Sequence, residues 1–120
     1  EWIQSLRPLI SGSIHDIVKI SGILSAIEAL EIDKPNYQEN LKLKDDEMIE
    51  VFKSFTEKAF QMRLFLNLNN QSHKELEDIL KEYTQAVLER RDNIDANGII
   101  EKARIVLKEA WEKAKSETSI

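Results

Sequence analysis

Met48-Ile49-Glu50-Val51-Phe52-Lys53-Ser54-Phe55-Thr56-Glu57-Lys58-Ala59-Phe60-Gln61-Met62-Arg63-Leu64-Phe65-Leu66 is the stretch that decides the fold class. Met48, Phe52, Phe55, Ala59, Met62 and Leu66 recur three or four apart, the period of one helix face. Asp45, Asp46 and Glu47 stand ahead of that stripe, and negative charge suits a helix N-terminus. The spacing predicts a helix over Asp46–Asn67. Ile49, Phe60 and Leu64 fall off the stripe, a quarter turn or more away. Phe60 and Leu64 are i,i+4 neighbours, and a contiguous apolar pair off the core face marks a candidate interface.

Reading toward the N-terminus, Ile3, Leu6, Ile10, Ile14, Ile17, Leu24 and Ile27 continue the helical period, with Ile20, Ile23 and Leu30 widening the stripe. They predict a first helix over Trp2–Leu30, with Pro8 either at its first turn or at a kink. The predicted connection is Glu31–Lys44, where Asp33, Lys34, Pro35 and Asn36 supply turn chemistry. Reading toward the C-terminus, Asn67-Leu68-Asn69-Asn70-Gln71 is a polar turn. Ser72 and Glu75 have capping-box spacing, so a third helix is predicted to start at Ser72 and to end near Arg90 and Arg91. Its stripe is Leu76, Ile79, Leu80, Tyr83 and Val87. A fourth helix, about Asp95 to Lys115, carries Ile99, Ile100, Ala103, Val106, Leu107, Ala110, Trp111 and Ala114.

Four amphipathic helices joined mostly by short links predict an all-α, antiparallel up-down-up-down four-helix bundle. The length of 120 residues, with only 3 Gly and 2 Pro, fits one such domain over residues 1–120. That topology gathers Trp2, Phe65, Leu68 and Trp111 at one end. The chain opens at Glu1 without Met and is already on a helical pattern at Trp2, so it reads as a piece of a longer protein. No run approaches 18 consecutive apolar residues, so no membrane-spanning helix is expected within it.

The net charge is −5. Nucleic-acid binding draws its affinity from Lys and Arg on phosphates, and no basic face is present, so no nucleic-acid partner is expected. With no cysteine, disulfides, thiolate metal sites and a cysteine nucleophile are excluded.

The remaining constellations point away from catalysis. Di-iron bundles use Glu-x-x-His, but Gly12 and Asn70 stand three residues before His15 and His73, the only two histidines. His15 shares its face with Ser11 and Lys19, and His73 sits in the first turn of the third helix. Both are expected to be exposed, and no metal or other cofactor is expected. Ser11, Ser13, His15 and Asp16 are close in sequence, but consecutive helical residues point apart and no oxyanion-hole motif accompanies them. No phosphate-cradling glycine loop and no EF-hand spacing occurs. Glu77–Lys81 and Glu109–Lys113 read as ordinary surface i,i+4 pairs.

Three stretches carry a resemblance. Glu1-Trp2-Ile3-Gln4-Ser5-Leu6-Arg7, Leu66-Asn67-Leu68-Asn69-Asn70-Gln71-Ser72-His73-Lys74-Glu75-Leu76 and Leu107-Lys108-Glu109-Ala110-Trp111-Glu112-Lys113 resemble an uncharacterised group of bacterial membrane-anchored proteins. In that group a hydrophobic anchor feeds into W-I-x-x-L-R, ahead of a helical cytoplasmic domain. Pro8 departs from the group's usual unbroken helix. The resemblance implies a domain at the cytoplasmic face of a bacterial membrane, held by a segment upstream of Glu1, and implies no activity. Trp2 and Trp111 are then the candidate membrane-proximal residues, since Trp favours the interface.

The expectation is therefore a non-enzymatic interaction or oligomerisation domain, its partner itself or another protein, with Ile49, Phe60 and Leu64 as contact residues. The alternative is a sensor or effector module of a stress or defence system, binding a small ligand under Phe55, Met62 and Trp111.

Overall fold

The apolar stripes do fold into four helices, and these pack as an antiparallel bundle. The structure is a computed structural model that describes residues 2–90 and 96–118, with the side chains of residues 2 and 118 outside the description. Its helices are α1 (Trp2–Glu28), α2 (Tyr37–Arg63), α3 (Gln71–Leu88) and α4 (Ala96–Thr118). The core takes Leu6, Ile17 and Ile20 from α1, and Phe55 and Met62 from α2. Leu76 and Val87 of α3 and Val106 of α4 complete it, each at most 1% exposed. Phe55 and Tyr83 meet edge to face, 5.0 Å between ring centroids, and so tie α2 to α3. α4 closes the bundle against α1, where Ile3 and Pro8 share a cleft with Trp111 and Ala114.

Helix α1 runs through Pro8 unbroken. Proline that early removes one backbone bond, and its exposed ring displaces no core side chain. By length and composition α1 could cross a membrane, against the expectation drawn from apolar runs. The core helix of a bundle passes the same test, and here Leu6, Ile10, Ile17 and Ile20 are packed inside.

Helix α2 starts nine residues earlier than predicted. The true connection covers residues 29–36, with Pro35 just ahead of the N-cap Asn36. The stripe over 37–44 is faint because only one helix faces it: Tyr37 and Leu41 are half-buried, and Leu43 is exposed. Asp45, Asp46 and Glu47 are consequently mid-helix rather than at an N-terminus. They pair with Arg90 (3.9 Å), Lys42 (3.0 Å) and Lys44 (3.6 Å).

That early start changes the shape. The molecule measures 69 × 21 × 18 Å, whereas a 27-residue helix is about 40 Å long. Because Arg90, just past α3, reaches Asp45, the part of α2 before Asp45 projects beyond α3. The matching part of α1 behaves alike: Ile20 and Ile23 are buried, but Leu24 and Ile27, and Leu30 just past the helix, are only half-buried. The α1–α2 hairpin is thus a two-helix arm on a four-helix body.

The third helix begins at Gln71, and its cap is Asn70 rather than Ser72. The Asn70 side-chain oxygen accepts from the backbone N–H of Ser72 (2.9 Å) and His73 (3.3 Å). Glu75 is thereby released from a capping box and accepts from Lys102 of α4 at 2.7 Å. That pairing holds the Glu75 carboxyl below, and the Lys102 ammonium above, their ordinary pKa values. α3 ends at Leu88, with Glu89 as its C-cap, and Arg90, at a φ of 56°, turns the chain away from the helix. The predicted ends at Arg91 and Asp95 lie outside the described residues.

Candidate functional site

Helix α2 presents different chemistry to each neighbour. Toward α1 it closes on a polar lock. Asp16, 5% exposed, accepts from Ser54 Oγ and Lys58 Nζ, each at 2.9 Å. Gly12 makes room for this, since a Cβ there would meet Lys58 Cε at 2.6 Å. Ser13 is buried and His15 exposed, so the hydroxyl, imidazole and carboxylate close in sequence diverge in space. The sequence grouping is no triad.

Toward α3 the same helix stays open. Thr56, Ala59, Phe60 and Arg63 of α2 face Leu80, Lys81, Thr84 and Gln85 of α3 across a groove of about 340 Å³. Arg63 closes one end by donating from Nε to Glu77. Glu77 is only 6% exposed, so it is a buried inter-helix partner and not the surface mate expected for Lys81. Thr84 turns its hydroxyl back onto the Leu80 carbonyl at 2.9 Å, which leaves methyl and aromatic surface facing the groove.

Of the predicted contact residues, Phe60 lines this groove, and Ile49 and Leu64 are exposed on the same helix. Ile49 is 55% exposed, Phe60 62% and Leu64 72%. At 100° per residue, Ile49, Lys53, Phe60 and Leu64 fall within about 60° of one another on the α2 wheel. They form one outward strip, and Leu68 in the following turn is exposed as well. The α3 wall was not foreseen from sequence. Its signal was the narrowness of the α3 stripe, which leaves Lys81 and Gln85 on the flank facing α2.

His73 lies inside, contrary to the expectation for a first-turn residue. It is 8% exposed, and its Nδ1 accepts from the Asn67 N–H at 2.9 Å, which folds the α2–α3 turn over the ring. Burial pushes its pKa below that of a free imidazole, with the Glu109 carboxylate acting weakly the other way. A cleft of about 270 Å³ beside it is lined by Phe65, Glu109 and Lys113. Among the described residues, no three His, Asp or Glu side chains converge as a metal site would require.

Trp111 is 53% exposed rather than part of the core stripe. It stands over Ile3, Arg7 and Pro8 with the Lys115 ammonium 5.8 Å from its ring. The side chain of Trp2, its predicted companion, lies outside the described residues. Phe65 reaches the same end of the bundle but occupies the other cleft. Phe55 and Met62 are 0% and 1% exposed, so they and Trp111 do not line one common space.

Comparison with known protein families, with characterised proteins and with solved structures finds no match to this chain.

Proposed function

We propose that this chain is a non-enzymatic helical interaction domain whose contact surface is the outward strip of α2 with the α2–α3 groove. The observation that carries this is the adjacent pair Phe60 and Leu64, 62% and 72% exposed on a helix whose opposite face buries Met48, Phe55 and Met62. Burying two such side chains on a partner removes apolar area worth roughly 1.5–3 kcal/mol each. Nothing inside the chain claims that gain. The groove beside them adds a concave floor, and Arg63 a fixed guanidinium at its rim.

The test is a photo-crosslinking residue placed at Phe60 in the full-length protein in its own cells, with Arg104, exposed on α4, as the reference position. The expected result is discrete protein adducts from position 60 and only background from position 104. Equal, diffuse labelling at both positions overturns the proposal.

The proposal extends to location: the domain sits at the cytoplasmic face of a bacterial membrane, held by a segment upstream of Glu1. Its support is the resemblance carried by Trp2-Ile3-Gln4-Ser5-Leu6-Arg7. Fractionation of the full-length protein with membranes, lost on deleting the upstream segment, is the expected outcome. A soluble full-length protein removes this part.

A further inference from the structure

Helices α1 and α4 form the side of the bundle across from the α2–α3 groove. Together they assemble a basic face. Between Trp2 and Ile27, α1 has one acid, Asp16, and that carboxylate is buried against Lys58. The exposed charges of the same stretch are Arg7 and Lys19. Helix α4 divides its outer surface by sign. At 100° per residue, Trp111, Arg104, Lys115 and Lys108 fall within about 60° of one another. Trp111 shares its cleft with Ile3, Arg7 and Pro8, so this basic flank lies on the α1 side. Glu101, Glu112 and Glu109 follow around the helix toward α3, where Lys102 meets Glu75. Arg7, Arg104 and Lys108 are exposed and form no ion pair among the described residues. Val18, 63% exposed on the same side of α1 as Arg7, adds apolar surface to that of Trp111. Neither helix has a basic run in its sequence. The face arises only where α4 closes on α1, which corrects the expectation that no basic face is present.

We infer that the α1–α4 face docks on an anionic lipid surface, with both helix axes lying along the bilayer. Arg7, Arg104, Lys108 and Lys115 meet the headgroup phosphates. Each Lys or Arg near an anionic leaflet raises binding roughly five-fold. Trp111 enters the headgroup layer among them, because an indole is apolar on its faces and polar at its N–H. Charge complementarity selects this occupant. Helices α1 and α4 carry 7 basic and 6 acidic residues on a chain of net charge −5, so the excess of acid lies on the rest of the molecule. A negative surface therefore attracts this side and repels the others, which fixes orientation as well as affinity. A nucleic-acid duplex offers the same charge, but it leaves Trp111 and Val18 wet, whereas a bilayer interface takes both apolar and basic groups. Docked in this way, the α2–α3 groove faces away from the bilayer and stays open to a partner. The inference goes beyond the α2 contact surface, and it shares only the membrane with the location proposed above.

The 120-residue chain, which has its own core, is sedimented at low salt with two kinds of vesicle. One holds phosphatidylserine and phosphatidylcholine in equal parts, the other phosphatidylcholine alone. Binding is expected to the first only, and to weaken as salt is raised. Arg104→Gln with Lys108→Gln is expected to lower the partition coefficient at least about ten-fold. Lys53→Gln with Lys81→Gln removes the same charge from exposed positions of α2 and α3, and is expected to change it less than about three-fold. With Trp2→Phe, Trp111 is the sole tryptophan, and its emission is expected to shift to the blue on the anionic vesicles. No binding to those vesicles, equal losses in the two paired variants, or an unshifted Trp111 overturns the lipid face. Binding of duplex DNA in place of vesicles also overturns it and hands the face to nucleic acid. If membrane fractionation of the full-length protein depends on the upstream segment while the chain ignores vesicles, the location stands and this face falls. If the chain binds anionic vesicles and the full-length protein is soluble, the anchor falls and the face stands.

Discussion

The two sides of α2 make a natural comparison. On the α1 side a buried carboxylate, a serine and a lysine interlock through a gap left by a glycine. On the α3 side, Thr56 and Ala59 look across an open groove at Lys81 and Gln85. The first seam spends side chains on fixing one neighbour in one register. The second leaves apolar surface exposed at a cost that folding alone does not justify. A helix that is specified on one side and unfinished on the other separates the residues that hold the domain together from those available to bind.

Phe55 and Phe60, five residues apart, break or confirm this most sharply. Phe55→Ala is expected to cost about 3–5 kcal/mol in denaturant unfolding, for a fully buried ring against Tyr83. Phe60→Ala is expected to stay within about 0.5 kcal/mol, as a change at an exposed position does. Similar losses at both would mean the groove is part of the core. Next in size is Asp16→Ala, which strands Lys58 and Ser54 at the closed seam. Removing one member of a buried pair costs about 3–5 kcal/mol. Lys58 keeps 30% of its side chain in water, so a loss near 2 kcal/mol is expected. A loss no greater than that of Lys81→Ala, at the open seam, would erase the contrast.

Glycines sharpen it further. Gly22, on the arm, has nothing within 4 Å of an added Cβ, so Gly22→Ala should raise stability by roughly 0.5–1 kcal/mol. Gly12→Ala should fall short of that gain, because the methyl pushes Lys58 off Asp16. Equal gains in thermal melts would show that the lysine has another route. The smallest effect comes from pH. The folded imidazole of His73 sits below 6.5, so the unfolded chain takes up its proton first. Stability is therefore full above pH 6.5 and falls as the pH drops toward the folded value. Urea midpoints compared at neutral and mildly acidic pH should show this, and His73→Gln should flatten it.

The four stripes were legible because each faces a core: Leu6, Phe55, Leu76 and Val106 all sit where the helical period places them. What was illegible depended on neighbours that periodicity does not see. Tyr37–Lys44 looked like loop because the arm offers it a single facing helix. Ser72 and Asn70 are both good caps, and the Asn67–His73 bond across the turn accompanies the choice of Asn70. Glu77 looked solvated because its cation comes from another helix. The contact strip was partly legible, since Phe60 and Leu64 break the pattern. Its α3 wall was not, because a groove belongs to two helices and no single stripe encodes it.

The closure of α4 on α1 has a consequence during synthesis. Ile3 is made well before Trp111 and Ala114, which share its cleft. About a hundred residues separate them, roughly 5–20 s of translation at typical rates. For that interval the nascent α1 has only α2, and then α3, to lie against. The α1–α2 hairpin is the first unit that can assemble, and Asp16 and Lys58 hold its register before the fourth wall exists.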